Sequence, residues 1–274
     1  MLDKFGVPRE RPNCRLMTRA DLYAYKRAEN TLAYRDYKWL YNQYVTERKC
    51  LRQIERENGI VRKIIRDWLL RFGIKIRSNG EALHLIMGNH CNLSKEAREF
   101  IDGELLGDMS MRSNRKWSAR IKYSSKYLEY IEWLAKTLKS FGIEQSGKIG
   151  LDRFRGKIYY HYESRQYEEL LPLYQKWYPE GKGGKIVPED LVLTPLICRQ
   201  WYIGDGHLGE GRHIDLCSMG FSKSDVERLK KQLYALGFKV TIDSQNNIRI
   251  STYSGQSFLD YIGKCPIGCY GYKW

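Results

Sequence analysis

This 274-residue chain has no CxxC pair, and its seven cysteines (14, 50, 91, 198, 217, 265 and 269) are odd in number and scattered. That argues against a disulfide framework and for reduced thiols. Cys265 and Cys269 do not complete a tetrahedral zinc site, because no second pair joins them. No apolar run approaches the roughly 18 residues that a membrane-spanning helix needs, so no membrane partner is expected. The first stretch, MLDKFGVPRERPNCRLMTRA, lacks the apolar core of a secretory signal. An intracellular, cytoplasmic location follows as an expectation. Acidic residues are in deficit, 32 against 47 basic ones, for a net charge of +15. Such a surplus suits a polyanion, and nucleic acid is the expected partner.

Hydrophobic content is 42%, ordinary for a globular protein, and the length allows two domains or more. The charge is uneven. Residues 1–93 hold 19 basic and 10 acidic side chains, a net of +9, against +3 each for 94–190 and 191–274. Residues 1–33 read as a basic arm with a short helix at Asp21–Ala28, and 78–93 as a linker. Between them, 34–77 is a compact all-α unit. A helix beginning at Leu51 stops at Asn58-Gly59. A further amphipathic helix follows, with Ile64, Ile65, Trp68 and Leu69 inward and Arg62, Lys63 and Arg66 outward. A helix, a short glycine-containing turn and a second helix make a helix-turn-helix pattern. Cations at those outward positions suit guanine edges or phosphates.

The remainder is organised around LTPLICRQWYIGDGHL, from Leu193 to Leu208. Thr194 is an N-cap and Pro195 occupies the first helical position, where its missing N–H costs nothing. Leu196, Ile197, Trp201 and Tyr202 give an apolar helical face. The helix then runs out at Gly204-Asp205-Gly206, a carboxylate between two glycines, which is poor packing chemistry. About a hundred residues earlier FIDGELLGDMS, from Phe100 to Ser110, also ends an apolar helix in Gly-Asp, at Gly107-Asp108. The segments after each copy match in order, giving α-β-β-α-β-β-α twice, over 94–190 and 191–274. In the first copy strands are expected near Met109–Arg112 and Trp117–Tyr123, and a helix over Arg165–Trp177. In the second the closing helix is expected at Gln256–Ile262.

On these residues the chain resembles the LAGLIDADG homing endonucleases of the two-repeat, monomeric type. Leu193–Gly206 carries the resemblance most specifically. WYPEGKGGKIVPEDL (177–191) resembles the family's lead-in to the second motif, and YIGKCPIGCYGYKW (261–274) its C-terminal signature. Residues 50–78, CLRQIERENGIVRKIIRDWLLRFGIKIRS, resemble bacterial and phage helix-turn-helix modules. The resemblance implies an α+β fold: two antiparallel DNA-binding sheets behind an all-α helix-turn-helix domain, with internal pseudo-twofold symmetry. It implies that the motif helices pack side by side through Gly103, Gly107 and Gly204. It also implies that Asp108 and Asp205, with backbone oxygens near Gly107 and Gly204, hold Mg²⁺ or Mn²⁺ over two scissile phosphates. Divalent ions on carboxylates activate water and stabilise a leaving oxygen. A supporting basic residue is expected near the metal, at a position that sequence register does not assign.

On the same resemblance the sheets saddle double-stranded DNA. Outward strand residues would make the contacts: Arg112, Lys116, Arg120, Lys122, Arg153, Arg155 and Lys157 in the first repeat, and Arg212, His213, Lys239, Gln245 and Arg249 in the second. His207, two residues past Asp205, is read as structural. Met109 stands where Gly206 stands in the second copy. Because glycine lets the backbone turn freely, the two centres are expected to cut at unequal speed. The leading expectation is therefore a metal-dependent, site-specific DNA endonuclease. A group I intron RNA maturase and a DNA-binding transcriptional regulator on the same fold are the alternatives. The presence of both aspartates favours the enzyme.

Overall fold

The computed structural model describes residues 33–82, 88–115, 117–181 and 184–274. Residues 1–32 of the arm, with the helix anticipated at Asp21–Ala28, and Lys116 lie outside the described residues. The chain divides into two compact units, residues 1–88 and 89–274.

In the first unit α1 (Tyr37–Tyr41) starts where Asp36 accepts from the N–H groups of Lys38 and Trp39, and it continues as a π-helical turn, Asn42–Thr46. Helix α2 (Leu51–Asn58) is capped by Cys50, whose sulfur accepts from Gln53 N. It ends at Gly59, whose φ of 68° is left-handed and suits glycine. Ile60 and Val61 then lead into α3 (Arg62–Arg71). Leu40, Tyr44, Ile54, Ile60, Ile65 and Leu69 form the buried centre.

The second unit holds both repeats. The first comprises α4 (Lys95–Leu106), β1 (Ser110–Arg115), β2 (Ser118–Ser125), α5 (Leu128–Ser140), β3 (Gly150–Phe154), β4 (Lys157–Glu163) and α6 (Leu170–Trp177). The second comprises α7 (Pro195–Asp205), β5 (Gly206–Leu208), β6 (Ile214–Leu216), α8 (Lys223–Ala235), β7 (Val240–Ile242), β8 (Ile248–Ile250) and α9 (Thr252–Ile262), closed by a 3₁₀ segment, Gly268–Lys273. The sheets are antiparallel with matching orders, β1-β2-β4-β3 and β5-β6-β8-β7. One continuous core spans both repeats and includes Trp177, Trp201, Tyr202 and Phe258. Each such fully buried large side chain contributes about 1.5–3 kcal/mol.

The motif helices α4 and α7 are capped alike: Ser94 Oγ accepts from Ala97 N and, as expected, Thr194 Oγ1 from Ile197 N, with Pro195 first in its helix. Their contact requires small residues. A Cβ on Gly103 would stand 2.6 Å from the Ile197 carbonyl oxygen, and one on Gly204 would stand 3.3 Å from Gly107 Cα. Gly107 and Gly204, equivalent in the two repeats, thus touch each other, as residues on a pseudo-twofold axis do.

Three element boundaries differ from expectation. Strand β1 runs past its expected end at Arg112 to Arg115, with an irregular register between Arg112 and Arg115. Helix α6 begins at Leu170 because Tyr167 is held as a backbone bridge to Ala119, with N–H donations both ways at 2.9 and 3.0 Å. Helix α9 begins at Thr252 and passes through Gly255. That glycine is a close-approach residue, since a Cβ there would lie 2.0 Å from the Arg212 carbonyl oxygen.

Candidate active site

Each motif helix delivers its aspartate at its C-terminal end: Asp205 is the last residue of α7, and Asp108 follows α4 by two residues. Helix C-termini present unpaired carbonyls and a partial negative charge, so two converging ends need cations. Two lysines from distant segments supply them. Lys185 Nζ donates to the carbonyls of Leu105 (2.8 Å), Gly107 (2.7 Å) and Met109 (3.1 Å). Lys273 Nζ does the same at α7, donating to Ile203 O at 2.6 Å and to Tyr202 O and Gly204 O at 3.4 Å each.

These four groups perturb one another. Burial pushes Asp205 up to about 6, the nearby Asp108 charge adds to the rise, and Lys185 and Lys273 oppose it. Burial also raises Asp108, against the pull of both lysines and of Tyr123. Asp108 nonetheless keeps a solvent-facing side. Burial pushes Lys273 down to about 8 and lowers Lys185, and both aspartates resist those shifts. Two repelling carboxylates at a solvent opening favour a bound cation.

Lys185 and Lys273 are basic side chains at the two helix ends, where the sequence expected one without assigning it. Both lie in signature segments, 177–191 and 261–274, but each of those segments holds two lysines. Only the tertiary register shows that Lys185 and Lys273 reach the helix ends. The carbonyls of Gly107 and Gly204, which the resemblance offers to metal, both face these ammonium groups. Among the described residues no three His, Cys, Asp or Glu side chains converge on one point. A metal ion would therefore depend on the two aspartates, with phosphate oxygens and water completing its shell, an arrangement that suits a hard divalent ion.

The contrast between Met109 and Gly206 has a different cause from the one expected. Gly206 has φ −87° and ψ 150°, extended backbone open to any residue. Glycine is required there because a Cβ would lie 2.0 Å from the Tyr202 ring and 2.4 Å from Tyr202 O. Met109 has no positive φ and is fully buried. It is a core residue, not a hindered turn.

Strand register sorts the candidate DNA contacts. Arg112 faces Arg120, and Lys122 faces Glu163, on the outward side of the first sheet; Lys157 shares that side by register with Phe154. Like charges directly opposed, as at Arg112 and Arg120, are unfavourable, and Glu163 offsets this by pairing with Arg120. Arg153 does not join them. It pairs with Ile158, in line with Leu151 and Tyr160, on the opposite face, so the expected alternation fails by one residue there. Arg155 lies in the β3–β4 turn with φ 50° and stacks over Phe154. In the second sheet His213 and Arg249 flank Asp215 at 3.3 and 2.6 Å. Arg212 sits in the β5–β6 turn and donates to Gln256 (2.6 Å), Gln245 lies in the β7–β8 turn, and Lys239 precedes β7. His207, read as structural, is exposed and opposite Asp215. In the first unit Arg62, Lys63 and Arg66 are exposed on α3, with Arg62 2.7 Å from Glu55. No described helix is long and apolar enough to cross a membrane.

Comparison with known proteins places this arrangement. The LAGLIDADG DNA endonuclease family profile matches residues 98–258. The uncharacterized protein MJ1098 of Methanocaldococcus jannaschii is 30% identical over 167 residues, covering 58% of this chain and 63% of that protein. The match therefore spans less than two thirds of that relative's length. Among solved structures, the homing endonuclease I-WcaI bound to its DNA recognition sequence superposes with a TM-score of 0.58 at 20% identity, over 66% of this chain and 87% of that one. I-DmoI in complex with DNA and Mn aligns over 60% of this chain and 97% of its own, at 14% identity and a TM-score of 0.39.

Proposed function

The chain belongs to the LAGLIDADG DNA endonuclease family, and from that premise we propose that it is a site-specific endonuclease hydrolysing phosphodiester bonds in double-stranded DNA. It acts as a monomer whose two centres each serve one strand. The observation that carries this reading is the paired constellation itself: two aspartates at touching helix ends, each end capped by its own lysine, Lys185 half-buried and Lys273 buried. A binding scaffold has no need of two adjacent carboxylates that repel one another.

Asp108 and Asp205 would hold the divalent ion, Mg²⁺ or Mn²⁺, which when bound activates a water and stabilises the leaving oxygen. Lys185 and Lys273 keep the helix ends neutralised and add positive potential where phosphate charge develops. The outward cations of both sheets hold the duplex, and Arg62, Lys63 and Arg66 on α3 extend the contact as a helix-turn-helix.

The test is incubation of the full chain with plasmid carrying the flanking sequence of its own gene, in Mg²⁺ or in EDTA, alongside Asp205→Asn. Cutting should require the metal. The variant should lose cleavage of one strand by about 10³-fold, the loss expected when several kcal/mol of transition-state stabilisation goes, while still binding DNA. Tight binding without cutting in any divalent metal would move the assignment to a DNA-binding regulator.

A further inference from the structure

The outward faces of the two sheets carry one cluster twice, with its charges exchanged. The row beginning two residues after Asp108 crosses Ser110, Lys122 and Glu163. The row beginning two residues after Asp205 crosses His207, Asp215 and Arg249. In chain order β2 and β6 are the second strands of their repeats and β4 and β8 the fourth, and each such pair is adjacent at the centre of its sheet, so the pairs Lys122–Glu163 and Asp215–Arg249 are equivalent. Lys122 Nζ lies 3.1 Å from Glu163 Oε2. Arg249 holds Asp215 with two hydrogen bonds, at 2.6 and 3.2 Å. The cation is on the second strand in the first repeat and on the fourth strand in the second. Each carboxylate also meets a basic side chain two residues before the second-strand member of its pair, Arg120 for Glu163 and the His213 imidazole for Asp215.

Stability does not account for this placement. A partly exposed cross-strand ion pair contributes little, and a carboxylate facing a polyanion weakens non-specific attraction. What an acid supplies there is a hydrogen-bond acceptor beside a donor. In the major groove a cation reads guanine O6 and N7, and a carboxylate accepts from cytosine N4. A side-by-side cation and carboxylate therefore match the edge of one G·C pair.

Resting on the DNA-binding reading above, we infer that Glu163 with Lys122 and Asp215 with Arg249 are specificity-determining pairs. Each fixes one G·C base pair at equivalent distances from the pseudo-twofold axis, in opposite orientations. If both repeats had the same polarity, the two guanines would lie on opposite strands, as in a palindrome. The exchange places both guanines on the same DNA strand. The target is then non-palindromic at this position, although the protein's scaffold is symmetric.

The experiment is selection of the full chain on a random double-stranded DNA library in Ca²⁺, a readout that needs no cleavage, followed by sequencing of bound duplexes. Wild type should enrich a site with two guanines on one strand, equidistant from its centre. Glu163→Gln should reduce the preference at one of these positions about tenfold, within the range one such contact supplies, and Asp215→Asn at the other, each sparing the rest of the site. The double exchange Asp215→Lys with Arg249→Glu should move one guanine to the other strand. The single amides decide the matter if that variant does not fold. An enriched site that both amides leave unchanged, or whose guanines fall on opposite strands, overturns the inference. Absence of any enriched site overturns the DNA-binding reading, and this inference with it.

Discussion

In the first repeat the strands run five to eight residues, and in the second each has three. The interiors differ as well. Four residues before Asp108, Glu104 is 1% exposed and accepts a hydrogen bond of 2.5 Å from Tyr130. Four residues before Asp205 the same place holds Trp201, fully buried. Tyr123 lies behind Asp108, where the second sheet has Leu216. The same element order thus tolerates a polar filling in one half and an apolar one in the other. Topology needs only periodic burial and capped helix ends, so the two centres share a frame but not an electrostatic setting.

The largest expected effect concerns the residue after each aspartate. Met109→Gly should cost about 4 kcal/mol, within the range for emptying a buried methionine site, seen as a lower denaturant midpoint, with strand cleavage order unchanged. A loss under about 1 kcal/mol with faster cutting at Asp108 would restore the backbone-turn account. Next come the lysines. Lys185→Met should slow the strand served by Asp108 by about 10²-fold, the scale of removing one electrostatic stabiliser, and Lys273→Met should slow the other. End-labelled linear duplex resolves the two strands; equal slowing of both would break the pairing of one lysine with one centre.

The smallest effect sharpens the contrast between Glu104 and Trp201. Burial pushes Glu104 from 4.5 up to about 8, against the Tyr130 hydrogen bond, with Asp108 adding to the rise. A carboxyl raised in the folded state stabilises below its unfolded pKa, and that contribution fades as pH climbs towards 8. Glu104→Gln, which cannot ionise, should remove that part of the slope. Between pH 5 and 8.5 its melting temperature should fall less than wild type's, by about 2–4 °C, the shift that roughly 1 kcal/mol makes in a chain this large. Parallel melting curves would mean that Glu104 does not titrate in the folded protein.

Much of the frame was legible because it is written locally. Ser94, Thr194 and Pro195 start the motif helices through bonds to residues three positions away, and Gly59 stops α2 through its own φ. Periodic apolar residues announced both repeats, and Gly-Asp at each helix end marked the aspartates. Legibility failed where a residue's role depends on a distant neighbour. Gly255 resembles a helix break until the Arg212 carbonyl is found against it. Arg153 resembles a DNA contact until its register with Ile158 turns it to the other face.

The sequence by itself determined the duplicated order, the two carboxylates and the basic surface, since each is a property of composition or of spacing along one segment. Tertiary structure alone decided that Lys185 and Lys273, about 80 and 70 residues from the carbonyls they cap, close the two helix ends. It alone decided that Glu163 and Asp215 stand at equivalent places with exchanged partners. Those facts depend on which strands pair and in what register. Chain closure over long loops sets that through the burial of whole faces, which no short stretch of residues encodes.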